Sequence, residues 1–365
     1  MSIRSIPSDL LPWALSNLSE PFHAGDAQLV CVAGDASNRR YFRLGVDQLS
    51  VIVVEAPPET EKNPEFIAIA NTLSCAGVRV PQVLASDLSR GYLLLEDLGD
   101  VVLLPLLNTA TVGDYYGRAF DTLLKLADID ISDTAVASMP RYDKALLTEE
   151  LGRFPHWFVE QLLGHSLTSS DHAVIQAASD CLIASALEQP QVLVHRDFHS
   201  RNLMLQGDGQ LAVIDFQDAV VGPVTYDLVS LLRDCYIRWP VEQVRGWALD
   251  YRRSLEASGQ LASSNARSEG EQLGSIESKE REENEFLRWL DLMGLQRHIK
   301  VLGTFARLYL RDGKSAYLDD LPMVLDYVRD VLREYQHEPA LAEFARWFEA
   351  TLDPLIAQRP WSADT

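Results

Sequence analysis

Asp197, Asn202 and Asp215 follow one another in an order that suits chemistry on phosphates. They stand in Val194-His195-Arg196-Asp197-Phe198-His199-Ser200-Arg201-Asn202-Leu203-Met204-Leu205, with Ala212-Val213-Ile214-Asp215-Phe216 shortly after. Moving a phosphoryl group from ATP to an alcohol takes a carboxylate that accepts the hydroxyl proton. It also takes oxygen ligands for the metal that neutralises the phosphates. Asp197 is the candidate base. Asn202, five residues on, and Asp215 are the candidate metal ligands, so ATP and Mg2+ are the expected cofactors. A solvated hairpin with chance acids is the bland alternative, and it leaves the order of the three residues unexplained.

A loop and a hairpin must position these groups. Gly207-Asp208-Gly209 separates two short apolar runs, so the segment reads as loop, hairpin, then a strand ending in Asp215. His-Arg-Asp, Asn at plus five and Asp-Phe together resemble the catalytic loop and metal motif of the protein-kinase-like fold. The upstream chain agrees. Leu29–Ala33, Tyr41–Leu44, Leu49–Val54 and Gly91–Glu96 read as strands, and Pro64–Ala76 reads as a helix with Phe66, Ile69, Ala70 and Leu73 on one stripe. The expected fold class is α+β: a small β-rich N-lobe over residues 1–98 and a larger, mostly helical C-lobe over 99–365. After about residue 110 only the hairpin at 203–214 should interrupt the helices. Residues 256–284 are rich in Ser, Glu and Gly and read mostly as a mobile surface insertion.

Gly34-Asp35-Ala36-Ser37-Asn38-Arg39-Arg40 lies between two strands, where backbone amides and the Ser37 hydroxyl could meet phosphate oxygens. Gly34, Ser37, Arg39 and Arg40 are therefore nucleotide-site candidates. The third strand ends Val53-Val54-Glu55-Ala56-Pro57-Pro58 without the kinase lysine, which leaves Arg39, Arg40 or Lys62 as the phosphate cation. Leu95-Glu96-Asp97-Leu98-Gly99 falls where the lobes would join, and the backbone of Glu96 and Leu98 is either an adenine contact or a plain linker. Asp312-Gly313-Lys314-Ser315 imitates the end of a P-loop, but Leu308 occupies the place of its first glycine and a helix precedes it.

Beyond Asp215 the chain runs through Gln217 and Gly222-Pro223 into a helix at Tyr226, with no room for a peptide-docking segment. The acceptor is therefore expected to be a small molecule. Asp227 either fixes the catalytic loop or simply begins its helix, and His195 reads as a loop support. Tyr142, Asp143, Glu150 and Trp157 combine ring faces with polar groups, as sugar sites do, although Leu147, Leu151, Phe154 and Phe158 give the same stretch a core periodicity. Between Asp291 and Lys314 an apolar stripe of Leu292, Leu295, Ile299 and Leu302 leaves Gln296, Arg297, Lys300 and Arg307 on the other face. That face is either an attractor for an anionic acceptor, with Arg297 at its centre, or a solvated surface.

The formal charge of −21 and a pI near 4.7 argue against a nucleic-acid partner, because phosphate backbones need a basic face. No run approaches the roughly 18 apolar residues of a membrane span, and Met1-Ser2-Ile3-Arg4 leads into no apolar signal region. Four cysteines without paired spacing fit reduced thiols. A cytoplasmic protein without a membrane or an obligate protein partner is expected.

Several further stretches carry a closer resemblance: Gly34–Ser37 through Arg39–Arg43, Glu55–Pro58, Pro140–Asp143, Phe154–Phe158, Phe216–Ala219 and Met293–His298. Together with the His195–Asp215 block they resemble the aminoglycoside phosphotransferase-like superfamily. Within it they are similar to bacterial kinases of the anomeric hydroxyl of N-acetylmuramate and N-acetylglucosamine. The resemblance spans nearly the whole chain outside 256–284. It implies an ATP- and magnesium-dependent amino-sugar 1-kinase in peptidoglycan recycling, with Asp197 as base and Asn202 and Asp215 on the metal. It assigns no sugar contacts. A kinase of another small alcohol, an aminoglycoside or choline, is the nearest alternative, and the acidity of the chain favours such cationic acceptors. A nucleotide-binding regulator without catalysis is the alternative from another class.

Overall fold

Period-two alternation builds the first sheet. In the computed structural model, which describes residues 5–18, 27–34, 38–46, 49–261 and 276–362, β1 (Leu29–Gly34), β2 (Arg40–Val46), β3 (Leu49–Glu55), β4 (Val83–Asp87) and β5 (Tyr92–Glu96) pair antiparallel in the order β1-β2-β3-β5-β4. Phe42, Leu44, Val51, Val53, Tyr92 and Leu94 share one face and bury Leu10, Trp13 and Ala14 of helix α1 (Leu10–Ser16) against it. The alternate residues Tyr41, Arg43, Ile52 and Leu95 line a cavity on the opposite face. Helix α2 (Asn63–Cys75) starts with Pro64 in its first turn and buries Phe66, Ile69, Ala70 and Leu73. This is the stripe read from the sequence.

The remaining strands are β6 (Gln191–Val194), β7 (Leu203–Leu205), β8 (Leu211–Val213) and β9 (Val220–Pro223). The chain divides into two compact units, Met1–Leu106 with Arg201–Asp218, and Leu107–Ser200 with Ala219–Thr365. The β7–β8 hairpin thus belongs with the five-stranded sheet. Backbone bonds from Leu103 to Leu203 and from Leu205 to Val101, both 2.8 Å, tie it there, as does Val213 donating to Arg79 at 2.8 Å. Leu98, Met204 and Ala212 close a small apolar cluster beneath it.

The second unit is helical: α3 (Val112–Ala127), α4 (Thr134–Ala137), α5 (Lys144–Leu151), α6 (Ser169–Leu187), α7 (Tyr226–Leu232), α8 (Val241–Ala257), α9 (Ile276–Asp312), α10 (Leu321–Glu334), α11 (Pro339–Trp347) and α12 (Asp353–Ile356). Residues Phe154–Leu162 continue after α5 with π-helical winding. Helix α9 is the long element, 37 residues or roughly 55 Å. It crosses the π-helical segment at Gly303, where a Cβ would come within 2.4 Å of the Arg153 carbonyl carbon. Gly313 follows α9 directly, which disposes of the P-loop imitation. Among the described residues no helix is long and apolar enough to cross a membrane.

Two expectations need correction. β6 and β9 form a second antiparallel pair in the region read as helical apart from the hairpin, with Val194 opposite Val220. Both are only four residues long, QVLV and VVGP, too short to show a period. The 256–284 stretch is also more regular than expected at both ends: Glu256 and Ala257 finish α8, and Ile276–Asn284 begin α9. Good helix formers and ion pairs, Arg252 with Glu282 at 2.9 Å among them, account for this order. Residues 262–275 lie outside the described residues.

Candidate active site

In the second unit, strand β6 ends at Val194 and delivers the loop His195–Ser200. Two carboxylates hold this loop at its ends. Asp227, in the first turn of α7, accepts the His195 amide at 2.6 Å and the Arg196 amide at 2.9 Å. Asp234 accepts the Ser200 amide at 3.0 Å and the Ser200 hydroxyl. Of the two readings of Asp227, fixing the loop is the one its contacts bear out. His195 supports the loop as well, its Nδ1 accepting the Asp197 amide at 3.2 Å. Burial and the nearby charge of Asp197 push the Asp227 carboxyl up to about 7, against the pull of its two backbone donors and Arg297. Arg196 sits at φ 77, a left-handed conformation that costs a non-glycine residue about 1–2 kcal/mol.

Asp197 is partly exposed and lies near the cations Lys300 and Arg297 and the imidazoles of His199 and His195. Desolvation would raise its pKa, but Lys300, His199, Arg297 and His195 outweigh it and hold the carboxyl at about 2. The basic face of α9 supplies two of these groups. Gln296, Arg297 and Lys300 are only 0%, 3% and 8% exposed, so this part of the face turns inward rather than to solvent. Lys300 donates to the Tyr226 hydroxyl at 2.9 Å and lies 3.2 Å from a Glu150 oxygen. Arg297 Nη1 reaches Cys235 Sγ at 3.4 Å.

The acceptor-site residues read from the sequence fare unevenly. Tyr142 and Glu150 are 1% and 0% exposed. They engage one another, Arg196 and Lys300, and have no surface to offer a sugar. Asp143 caps α5, accepting the Leu146 amide at 3.0 Å. Trp157 is half-buried with its ring edge-on to His156, 4.9 Å between centroids. Arg196 was missed as a functional residue although it stands beside Asp197, because its partner Glu150 is 46 residues away.

In the first unit, Asn202 and Asp215 open onto the same cavity, about 430 Å³, with Phe66, Leu98, Met204, Ile214 and Phe216 as apolar walls. Its size suits a small-molecule ligand. The Ile214 amide bonds the Asn202 carbonyl at 3.1 Å, Gln217 Nε2 steadies the Asp215 carboxylate at 2.6 Å, and Asp215 itself is left-handed at φ 65. An amide oxygen and a carboxylate suit a hard cation such as magnesium, which fills its other positions with water and phosphate oxygens. Among the described residues no three His, Cys, Asp or Glu side chains cluster as an all-protein metal cage would need.

The remaining nucleotide candidates lie around this cavity. Glu96 lines it but spends its amide on the Gln82 carbonyl at 2.9 Å and its carboxylate on Arg79. A bond from its backbone to a base would have to come from the carbonyl. Leu98 lines the cavity too. Arg40 pairs with Glu55 directly across the β2–β3 ladder. Arg39 is 2% exposed, its guanidinium 5.1 Å from the Phe66 ring and 3.3 Å from Glu61. Lys62 is exposed and 3.6 Å from Asp218. Gly34 ends β1, and Ser37 lies outside the described residues. Sequence reading missed Arg43, which lines the cavity and is gripped by Asp97 at 2.6 Å and Asp100 at 2.9 Å. Its alternation with Tyr41 along β2 was the signal available.

Residues 29–263 match the model of the phosphotransferase enzyme family. The N-acetylmuramate/N-acetylglucosamine kinase of Pseudomonas putida is 41% identical to this chain over 315 residues, 86% of each. The kinase of the same description from Pseudomonas aeruginosa is 38% identical over 338 residues, 93% of this chain and 90% of the relative. Among solved structures, an ADP-bound aminoglycoside phosphotransferase superposes with a TM-score of 0.57 at 13% identity, over 89% of this chain and 99% of its own. The choline kinase LicA of Streptococcus pneumoniae gives 0.54 at 12% identity, over 87% and 94%. At such identities the likeness is one of fold, and the fold is the protein-kinase-like one expected.

Proposed function

Because the chain belongs to the phosphotransferase enzyme family, we propose that it transfers the γ-phosphoryl group of ATP to the anomeric C1 hydroxyl of N-acetylmuramate, N-acetylglucosamine or both, in peptidoglycan recycling. The observation that carries this reading is Asp197, a partly exposed carboxylate in a loop anchored by Asp227 and Asp234 and kept ionised with Lys300 and Arg297 nearby. Asp197 accepts the C1 hydroxyl proton as that oxygen attacks the γ-phosphorus. The bond to the bridging oxygen breaks, and ADP leaves with its electron pair. A carboxylate that ionises near pH 2 is a weak base. It suffices because the transition state is loose and a hemiacetal hydroxyl is more acidic than an ordinary alcohol.

The base occupies the loop that leads, five residues on, to Asn202. Asn202 and Asp215 would hold magnesium, which when bound offsets the negative charge of the phosphates. The apolar walls of the cavity beside them suit the adenine ring. The choice of an N-acetyl sugar as acceptor rests on the identity to the two Pseudomonas kinases. The acidity of the chain opposes an acceptor bearing a carboxylate, as N-acetylmuramate does. Arg297 and Lys300 weigh against that objection, because they place two positive charges near Asp197.

The test is ADP release from ATP and magnesium with N-acetylmuramate, N-acetylglucosamine, kanamycin and choline offered separately. Turnover of the N-acetyl sugars, lost when C1 is blocked as the methyl glycoside, is the expected result. Turnover of kanamycin or choline alone would replace the acceptor and keep the phosphotransferase chemistry.

A further inference from the structure

Glu150 is a fully enclosed acid near the catalytic loop, with 0% of its side chain exposed. It comes from α5 and accepts from three groups: the Arg196 guanidinium, the Tyr142 hydroxyl and the Lys300 ammonium at 3.2 Å. Burying an unpaired carboxylate is strongly unfavourable, so full pairing is the condition for its presence. Two of its partners bracket Asp197. Arg196 immediately precedes Asp197 and holds a left-handed backbone that any non-glycine residue resists. Its amide is fixed by Asp227 and its side chain by Glu150, with the Tyr142 ring 5.8 Å below the guanidinium. Lys300, on α9, is fixed between Glu150 and the Tyr226 hydroxyl.

We infer that Glu150 is a positioning residue, which fixes the Arg196 turn and the Lys300 ammonium and so aims the Asp197 carboxylate. This goes beyond the proposed function and uses it only for the activity readout. Once Glu150 is gone, the two cations lose the acid they share. The groups facing Lys300 are then Asp197 and Arg196 of the loop and Tyr226 of α7. Burial and Arg196 push its ammonium down, and Asp197 and Tyr226 push it up.

The test compares wild type, E150Q and R196G per folded active site, from about pH 6 to 9, on whichever acceptor the wild type turns over. For E150Q, kcat should fall on the order of 10²-fold with KM for ATP within about twofold, as misplacement of a reacting group does. The alkaline limb of its kcat profile should also move to lower pH, because Lys300 has lost its main counter-charge. A merely structural role would reduce the folded fraction and leave kcat per site and the profile in place, and that result overturns the inference. If E150Q fails to fold, R196G decides the matter. Its glycine accepts the left-handed turn and Glu150 keeps Lys300, yet kcat should still fall at least about tenfold because the latch to Glu150 is cut. Wild-type kcat in R196G would refute the positioning role.

A crystal structure of E150Q gives a readout independent of turnover. Arg196 should leave the left-handed region, and an unchanged Arg196 turn with Lys300 still on Tyr226 would count against the inference. Wild-type silence on both N-acetyl sugars would sink the proposed acceptor alone, since the Glu150 comparison then proceeds on the acceptor in use and on the Arg196 backbone.

Discussion

Replacing Asp197 with Asn removes one charge and keeps the size of the side chain, so its consequences can be separated. Loss of the proton acceptor should lower kcat by about 10²–10⁴, roughly 3–5 kcal/mol on the barrier. Stability should change as well. The carboxyl ionises at about 2 in the folded chain instead of 3.8, because Lys300, His199, Arg297 and His195 overcome its desolvation. A depressed carboxylate stabilises the fold above its unfolded pKa and loses that contribution as pH falls through the folded value. The difference amounts to ~2 kcal/mol at neutral pH. D197N should therefore be the less stable protein by about that much in urea titrations at pH 7, while still binding ATP with wild-type affinity by calorimetry. Its turnover, followed as ADP release, should be nearly abolished. A kcat within about tenfold of wild type would refute the assignment of the base. For the same reason, any acid limb of the wild-type profile above about pH 5 must belong to another group.

Three further outcomes are expected. Asp227, raised from 3.8 to about 7, makes the native state bind more protons than the unfolded one between those values, so its contribution to stability falls as pH rises. Urea titrations should show a loss of roughly 3 kcal/mol between pH 5 and 8 that D227N lacks, and equal slopes in the two proteins would dismiss the shift. Asp215→Asn, which tolerates the left-handed backbone at that position, should erase the magnesium dependence of nucleotide binding in calorimetry. Retention of the full magnesium effect would remove Asp215 from the metal site. Gly303→Ala places a methyl 2.4 Å from the Arg153 backbone and should cost about 1–3 kcal/mol in urea, whereas wild-type stability would mean that α9 can shift freely at that crossing.

What the sequence disclosed and what it withheld follow from the range of the interactions. Asp197, Asn202 and Asp215 were legible because a loop and a tight hairpin set their spacing locally. The sheet was legible wherever one face is buried, since Phe42, Leu44, Val51 and Val53 alternate with residues that face the other way. β4 escaped because its exposure alternates only between partial and full, and β6 and β9 escaped because four residues are too few to show a period. The basic residues of α9 were visible as a group, but not their inward orientation. Burying Lys300 takes Glu150, which lies far away in sequence and enters only when the chain folds. Arg43 was hidden for the same reason, its partners Asp97 and Asp100 being 54 and 57 residues distant.

The pairing of Arg196 with Glu150 also bears on how such sequences can drift. An arginine at position 196 is tolerable only because an acid waits to receive its guanidinium, and a glycine there would need no such help to adopt the left-handed turn. With glycine at 196, an acid at 150 keeps Lys300 and Tyr142, while a neutral residue there would deprive Lys300 of its acid. Among relatives, arginine at 196 should therefore come with an acid at 150, whereas an acid at 150 need not bring arginine. Arginine at 196 with a neutral residue at 150 should be rare, because it leaves two cations without the acid they share.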